Sequence, residues 1–256
     1  MESSPQMEKR SLVLTGRLAA LAGVALLRGR HRFAAWAVHD FLWLYPTLRR
    51  NCDWHGEVLT RFETSRREVW LTIDDGPDPA DTPDFLDLLA RHDARASFFV
   101  IGKKAAAHPD LCRRMVTEGH TLENHSHSHP AGFWWALPRP FVRRELERAQ
   151  AAIHEAAGVP PRFFRSPVGM NNAGVHPAAF RLGLRVTGWS AAAGDGCPAA
   201  PTTIVRRIMR GVFPGAVILL HQSGGNRHRA LTLSRLLDAL AASGYRCVLP
   251  DPLTLR

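Results

Sequence analysis

Seven short apolar runs alternating with helical stretches, polar motifs placed at the ends of those runs, and a basic, apolar first sixty or so residues together predict an α/β fold. The architecture that suits them is a distorted, incomplete (β/α)7 barrel with an N-terminal helical appendage. The runs lie at about 68–73, 95–101, 120–124, 162–165, 184–190, 216–220 and 245–249. The expected division of the 256 residues is 1–65 for the appendage and 66–256 for the barrel.

In the appendage, Ser11 to Leu27 is apolar apart from Arg17 and is flanked by Lys9, Arg10, Arg28, Arg30 and Arg32. About seventeen residues is the lower limit for crossing a bilayer, and a charge near the middle costs roughly 2.5 to 3.5 kcal/mol. A clean span is therefore not expected, and no small-x-small cleavage site follows to mark a removed signal peptide. Phe33, Trp36, Ala37, Phe41 and Leu44 recur at helical spacing and predict a second helix, lying flat on a membrane or on the barrel. The expected location is the inner membrane surface, peripheral or N-terminally anchored, with the cytoplasm as the alternative.

Within the barrel, Thr82 to His92 gathers Phe85, Leu86, Leu88 and Leu89 on one helical face. Leu231 to Ala242 does the same with Leu233, Leu236, Leu237 and Leu240, so both read as packing surfaces. Gly119, Gly158, Gly183 and Gly244 follow helical stretches, as C-terminal caps do. The chemistry-bearing residues fall at strand ends, where barrels of this kind collect functional groups. Asp74 and Asp75 close the first run, and Gly76-Pro77 supplies a turn that lets neighbouring carboxylates act together. Asp78 or Asp81 could cap the next helix. Three histidines alternate in Asn124-His125-Ser126-His127-Ser128-His129, and His125 and His129, at i and i+4, can aim at one divalent ion while His127 faces away. Arg165 ends the fourth run before a Pro/Gly turn and could orient an aspartate. His221 is the first polar residue after the run Ala216 to Leu220, well placed as a general acid.

These motifs, in this order, resemble the polysaccharide deacetylases of carbohydrate esterase family 4, which share the chitooligosaccharide deacetylase homology domain. The family's Thr-Phe-Asp-Asp-Gly motif is similar to Thr72-Ile73-Asp74-Asp75-Gly76, which implies Asp74 as catalytic base and Asp75 as metal ligand. Its His-Ser/Thr-x-x-His motif aligns with His125 to His129, implying those two histidines as the remaining ligands. Arg-x-Pro-x-Gly aligns with Arg165 to Gly169, implying contact of Arg165 with the base and a substrate groove lined near Pro167, Val168 and Gly169, with Trp189 and Leu219. Asp195 keeps the position that would orient His221. The resemblance covers about residues 67 to 250 and implies a divalent cofactor, zinc, with cobalt or nickel as alternatives. Departures from the pattern are also present. Val168 stands where many relatives have tyrosine, Asp195-Gly196 where they have Asp-Trp, Ala192 at a common aspartate position, and Gln222 after the histidine, so the aromatic sugar platform is reduced.

The mechanism implied is hydrolysis of an N-acetylated, or O-acetylated, sugar or glycolipid. The cation would polarise the acyl oxygen and lower the pKa of a bound water, Asp74 would take its proton, and an N–H near Val168 would help hold the oxyanion. His221, held by Asp195, would protonate the leaving amine. The alternatives are an amide or formamide hydrolase acting on a non-polysaccharide substrate, or a non-catalytic binding protein on the same fold. Net charge is +10, carried by arginine, since Lys9, Lys103 and Lys104 are the only lysines. That favours anionic partners such as phospholipid head groups, while no nucleic-acid reader motif is present. Cys52, Cys112, Cys197 and Cys247 show no paired spacing, so neither a zinc ribbon nor a disulfide framework is expected. Trp134 and Trp135 follow the histidines and are expected either to stack on a sugar or lipid or to pack on the barrel rim.

Overall fold

Alternation of strand and helix from residue 68 onward follows the apolar pattern. The computed structural model describes residues 5–224 and 226–256, so residues 1–4 of the expected appendage lie outside the described residues. The elements are α1 (Pro5–Leu26), α2 (Arg30–Leu48), β1 (Glu68–Gly76), α3 (Thr82–Arg91), β2 (Ala96–Val100), α4 (Gly102–Ala107), α5 (Pro109–Thr117) and β3 (Thr121–Asn124). They continue with α6 (Arg139–Ala157), β4 (Phe163–Phe164), α7 (Val175–Arg181), β5 (Arg185–Val186), α8 (Pro201–Met209), β6 (Val217–His221), α9 (Arg229–Ala242) and β7 (Arg246–Cys247).

The strands form one parallel sheet in the order β5-β4-β3-β2-β1-β6, with β7 paired to the start of β1. This is the curled, incomplete (β/α)7 barrel expected from the sequence. Residue alternation divides each strand between two cores. Val69, Leu71 and Ile73 of β1 pack outward against helix residues such as Leu86, Leu89, Leu236 and Leu240. Trp70 joins Phe99, Phe163 and Val217 in the interior. Parallel register then aligns the functional layer. Asp74 stands opposite His221, and Asn124 opposite Phe164, so His125 and Arg165 follow at the same level.

The strand expected over 184–190 is shorter than its apolar run because that segment changes partners along its length. Phe163 and Phe164 pair with Arg185 and Val186, Thr187 pairs with Leu59, and Ala191 pairs with Ile218 of β6. A strap at 59–62 thus bridges the open side: Leu59 N–H donates to Val186 O, and Phe62 N–H to Gly215 O. Leu59 and Phe62 are buried in the interior core, on the N-terminal side of the boundary expected at 65.

Before the strap, α1 and α2 form a hairpin: Gly16 lies against Leu42, and Gly23 against Ala35. Leu18, Leu21, Leu26, Phe33, Trp36 and Phe41 are exposed on it. No helix among the described residues is long and apolar enough to cross a membrane. Cys52, Cys112 and Cys247 are buried, Cys197 is exposed, and all four are free.

Candidate active site

The two aspartates at the end of β1 are separated by the backbone itself. Asp74 keeps the interior face of the strand, while Asp75 has φ of 72°. That left-handed residue coincides with the irregularity in the β1–β2 register between Asp74 and Gly76, and it is unusual for a side chain other than glycine. Asp75 is held there from both ends: Lys104 Nζ donates to its carbonyl at 2.7 Å, and Ser223 Oγ donates to its Oδ2.

His125 and His129 reach Asp75 from the loop after β3. Each Nε2 lies 3.4 Å from Asp75 Oδ1. His125 Nδ1 faces the Arg165 carbonyl at 2.8 Å; a carbonyl only accepts, so Nδ1 carries a hydrogen and Nε2 is the ring atom turned toward Asp75. Asp75 Oδ1 is buried and has no hydrogen-bond partner. Ligand atoms about 2.1 Å from a tetrahedral ion stand about 3.4 Å apart, so an unpartnered carboxylate oxygen facing two imidazole Nε2 atoms is a set that fits a divalent cation. Among the described residues, Asp75, His125 and His129 are the group whose ligand atoms lie close enough together that they could hold a metal ion. Burial would raise the Asp75 pKa, but the adjoining imidazole of His125, followed by those of His129 and His221, holds it well below the ordinary carboxylate range. Burial, with His125 beside it, draws His129 down to about 4, so it stands neutral, the state in which an imidazole can bind a metal.

Arg165 is fully buried beneath this group. Its Nη1 donates to Asp74 Oδ1 at 2.6 Å and to Thr72 Oγ1 at 2.8 Å, its Nη2 donates to Gly188 O at 2.8 Å, and the guanidinium lies 4.1 Å above the Phe99 ring. On the other side, His221 Nδ1 bonds Asp195 Oδ1 at 2.9 Å, and the His221 backbone N–H donates to Asp195 Oδ2 at 2.8 Å. Burial lowers the His221 pKa, but the bond to Asp195 and the charges of Asp195, Asp74 and Asp75 outweigh it and push it up to about 9.

Val168 is left-handed, with φ of 52°, and partly exposed, whereas Pro167, Gly169 and Leu219 are buried. Gly169 has φ of 72° and sits so close to Trp189 that a Cβ there would come within 2.4 Å of the indole. Trp134 is buried, its Nε1 donating to Met170 O, so it packs on the rim; Phe133 and Trp135 are exposed. Neither Asp78 nor Asp81 caps α3 with its side chain: Asp78 accepts from the Ala80 N–H in the turn before the helix, and Asp81 is drawn away to pair with Arg229.

Several supporting residues lie outside the sequence motifs. Glu145 of α6 accepts from the N–H groups of His127 and Ser128 and from Ser128 Oγ, fixing the histidine loop. Glu123 is buried and accepts from Arg162 and Phe163 N–H, tying β3 to β4, and burial pushes its pKa up to about 7. Asn51 donates from its backbone to Gly169 O and from its side chain to Trp189 O. Only Lys104 had a sequence signal, as one of three lysines in an arginine-rich chain.

The sequence signature of the polysaccharide deacetylase family matches residues 61–187. The chain is 38% identical over 186 residues to a chitooligosaccharide deacetylase of Bradyrhizobium sp., covering 71% of this chain and 78% of that protein. The chain belongs to the polysaccharide deacetylase family. This deacetylase is also 31% identical to a peptidoglycan-N-acetylglucosamine deacetylase of Bacillus cereus, over 72% of this chain and 67% of the relative. Its fold matches a family 4 carbohydrate esterase from Streptomyces lividans in complex with acetate at a TM-score of 0.66 and 32% identity, covering 73% of this chain and 94% of that one. It is a hydrolase acting on carbon–nitrogen bonds other than peptide bonds.

Proposed function

We propose that this deacetylase removes the acetyl group from an N-acetylated sugar, with Asp75, His125 and His129 holding a divalent metal, zinc. The observation that carries this reading is the buried, unpartnered Asp75 Oδ1 at 3.4 Å from both histidine Nε2 atoms. The chemistry that zinc would supply at these three residues is Lewis-acid polarisation of the acyl carbonyl and a lower pKa for water. Asp74, oriented by Arg165, takes the proton of the attacking water. His221 is held protonated by Asp195 and delivers its Nε2 proton to the leaving amine. Gly169 and Met170 N–H groups are committed to their own turn, so the oxyanion donor in this proposal is the Val168 N–H. The relatives' substrates, chitooligosaccharides and peptidoglycan, support an N-acetylglucosamine-containing substrate.

The location that accompanies this reading is an anionic membrane surface, met in plane by the hairpin. Exposed Leu18, Leu21, Phe33 and Trp36, together with Arg28, Arg30 and Arg32, support it. Detergent-free recovery of the full chain in the soluble fraction would count against it.

The deciding experiment measures bound metal and acetate release from N-acetylated chitooligosaccharides in protein purified without a histidine tag, beside His125→Ala. Near-stoichiometric zinc and acetate release, both lost in the variant, are expected. A metal-free wild type that added cations do not activate would overturn the reading, and formate release from N-formyl analogues without acetate release would replace the acyl group.

A further inference from the structure

A sizeable cavity lies away from Asp75, His125 and His129. It occupies about 940 Å³ between the N-terminal hairpin and the side of the barrel formed by β5 and α7. Sites for small organic ligands span roughly 300 to 1,000 Å³. Leu14 of α1, Trp54, Leu137 and Phe180 wall it with hydrocarbon, while Arg17 and Arg139 bring positive charge. Glu57 is the one carboxylate among its described lining residues, and it pairs with Arg185 at 3.2 Å. Arg139 has no carboxylate partner among the described residues. It opens α6, whose first turn contains no acidic residue, so a cation sits at the positive end of a helix, where an anion would be the favoured neighbour.

The cavity also has an apolar path to the outside. Leu14, Leu18 and Leu21 recur at i, i+4 and i+7 on α1 and are all exposed, so they form a stripe leading from the cavity wall along the hairpin. A neutral or cationic head group would leave Arg139 unanswered, and a purely polar ion would leave the leucine and aromatic walls against water.

We propose that this cavity binds an anionic amphiphile, a lipid phosphate whose aliphatic chain lies against Leu14, Leu137 and Phe180 and whose head meets Arg139. The site is separate from the metal ligands and stands whether or not the protein deacetylates sugars. One of its lining residues, Asn172, lies four residues after Val168.

Calorimetric titration of the full chain with decyl phosphate, below its micelle concentration, tests this directly, with decyl maltoside and inorganic phosphate as comparisons. Decyl phosphate should bind with single-site stoichiometry, at least about tenfold tighter than decyl maltoside, and inorganic phosphate should not compete. Arg139→Glu and Phe180→Asp, both at exposed positions, should each weaken binding by about tenfold while leaving the thermal midpoint unchanged. Equal binding of the two decyl compounds, equally tight binding of inorganic phosphate, or unchanged binding in both variants would overturn the proposal. Loss of deacetylase activity in a metal-ligand variant leaves this titration unaffected, which separates the two readings.

Discussion

His129 and His221 share one mouth yet are driven to opposite protonation states, and the cause is the partner on each ring. Burial disfavours charge on both. His129 has another histidine beside it and falls to about 4, whereas His221 is bonded to Asp195 through Nδ1 and rises to about 9. Environments that push neighbouring groups apart in this way suit His129 to the proposed role of ligand and His221 to that of acid. An acid held up to about 9 stays protonated below that pH and loses its proton as pH rises through it, so the basic limb of kcat/KM should fall near pH 9. Asp195→Asn should move that limb to lower pH, and an unmoved limb would remove Asp195 from this role. His221→Ala should lower turnover by about 10² to 10⁴ while metal content, read by elemental analysis, stays at the wild-type level. The residue types were legible in the sequence because each sits where an apolar run meets its first polar position. The left-handed backbone of Asp75, which lets adjacent carboxylates serve different tasks, was foreseen only as a turn at Gly76-Pro77.

Elements hold these residues through contacts remote in sequence. The loop carrying His125 and His129 is anchored from α6, where Glu145 takes hydrogen bonds from two loop N–H groups and a serine hydroxyl. Removing it leaves those donors without their acceptor, so Glu145→Ala should weaken metal affinity by about 10- to 100-fold, read by competition with a chelator. Unchanged affinity would show that the loop is fixed by its own turns. All seven strands and the helices beginning at Thr82 and near Leu231 were legible, since each has a burial pattern of its own. The apolar run 184–190 was read as one strand because partner exchange leaves no mark on hydrophobicity: β4, the strap and β6 each accept a piece of it. Glu145 and Glu123 were not legible for a related reason, since an acid on a helix or in a strand declares its partners only after folding.

On the scale of the whole molecule, the strap couples the appendage to the barrel. Removal of residues 1–48 should leave a cooperatively unfolding barrel, because Leu59, Phe62 and their backbone pairings remain. Removal through residue 64 takes two interior side chains, each worth about 2 to 5 kcal/mol, and should abolish the cooperative thermal transition. A barrel that unfolds cooperatively without the strap would show that β5 and β6 close without it. The sequence by itself determined the fold class, the order of the strands along the chain and the motif residues at their ends, because periodicity and residue type are local properties. Tertiary structure alone decided which strands adjoin, that residues 59–62 close the barrel, how Asp75 Oδ1 comes to face two imidazoles, and that a cavity opens between hairpin and barrel. Those features depend on distances between segments far apart in the chain, which parallel register and packing set and local pattern does not encode.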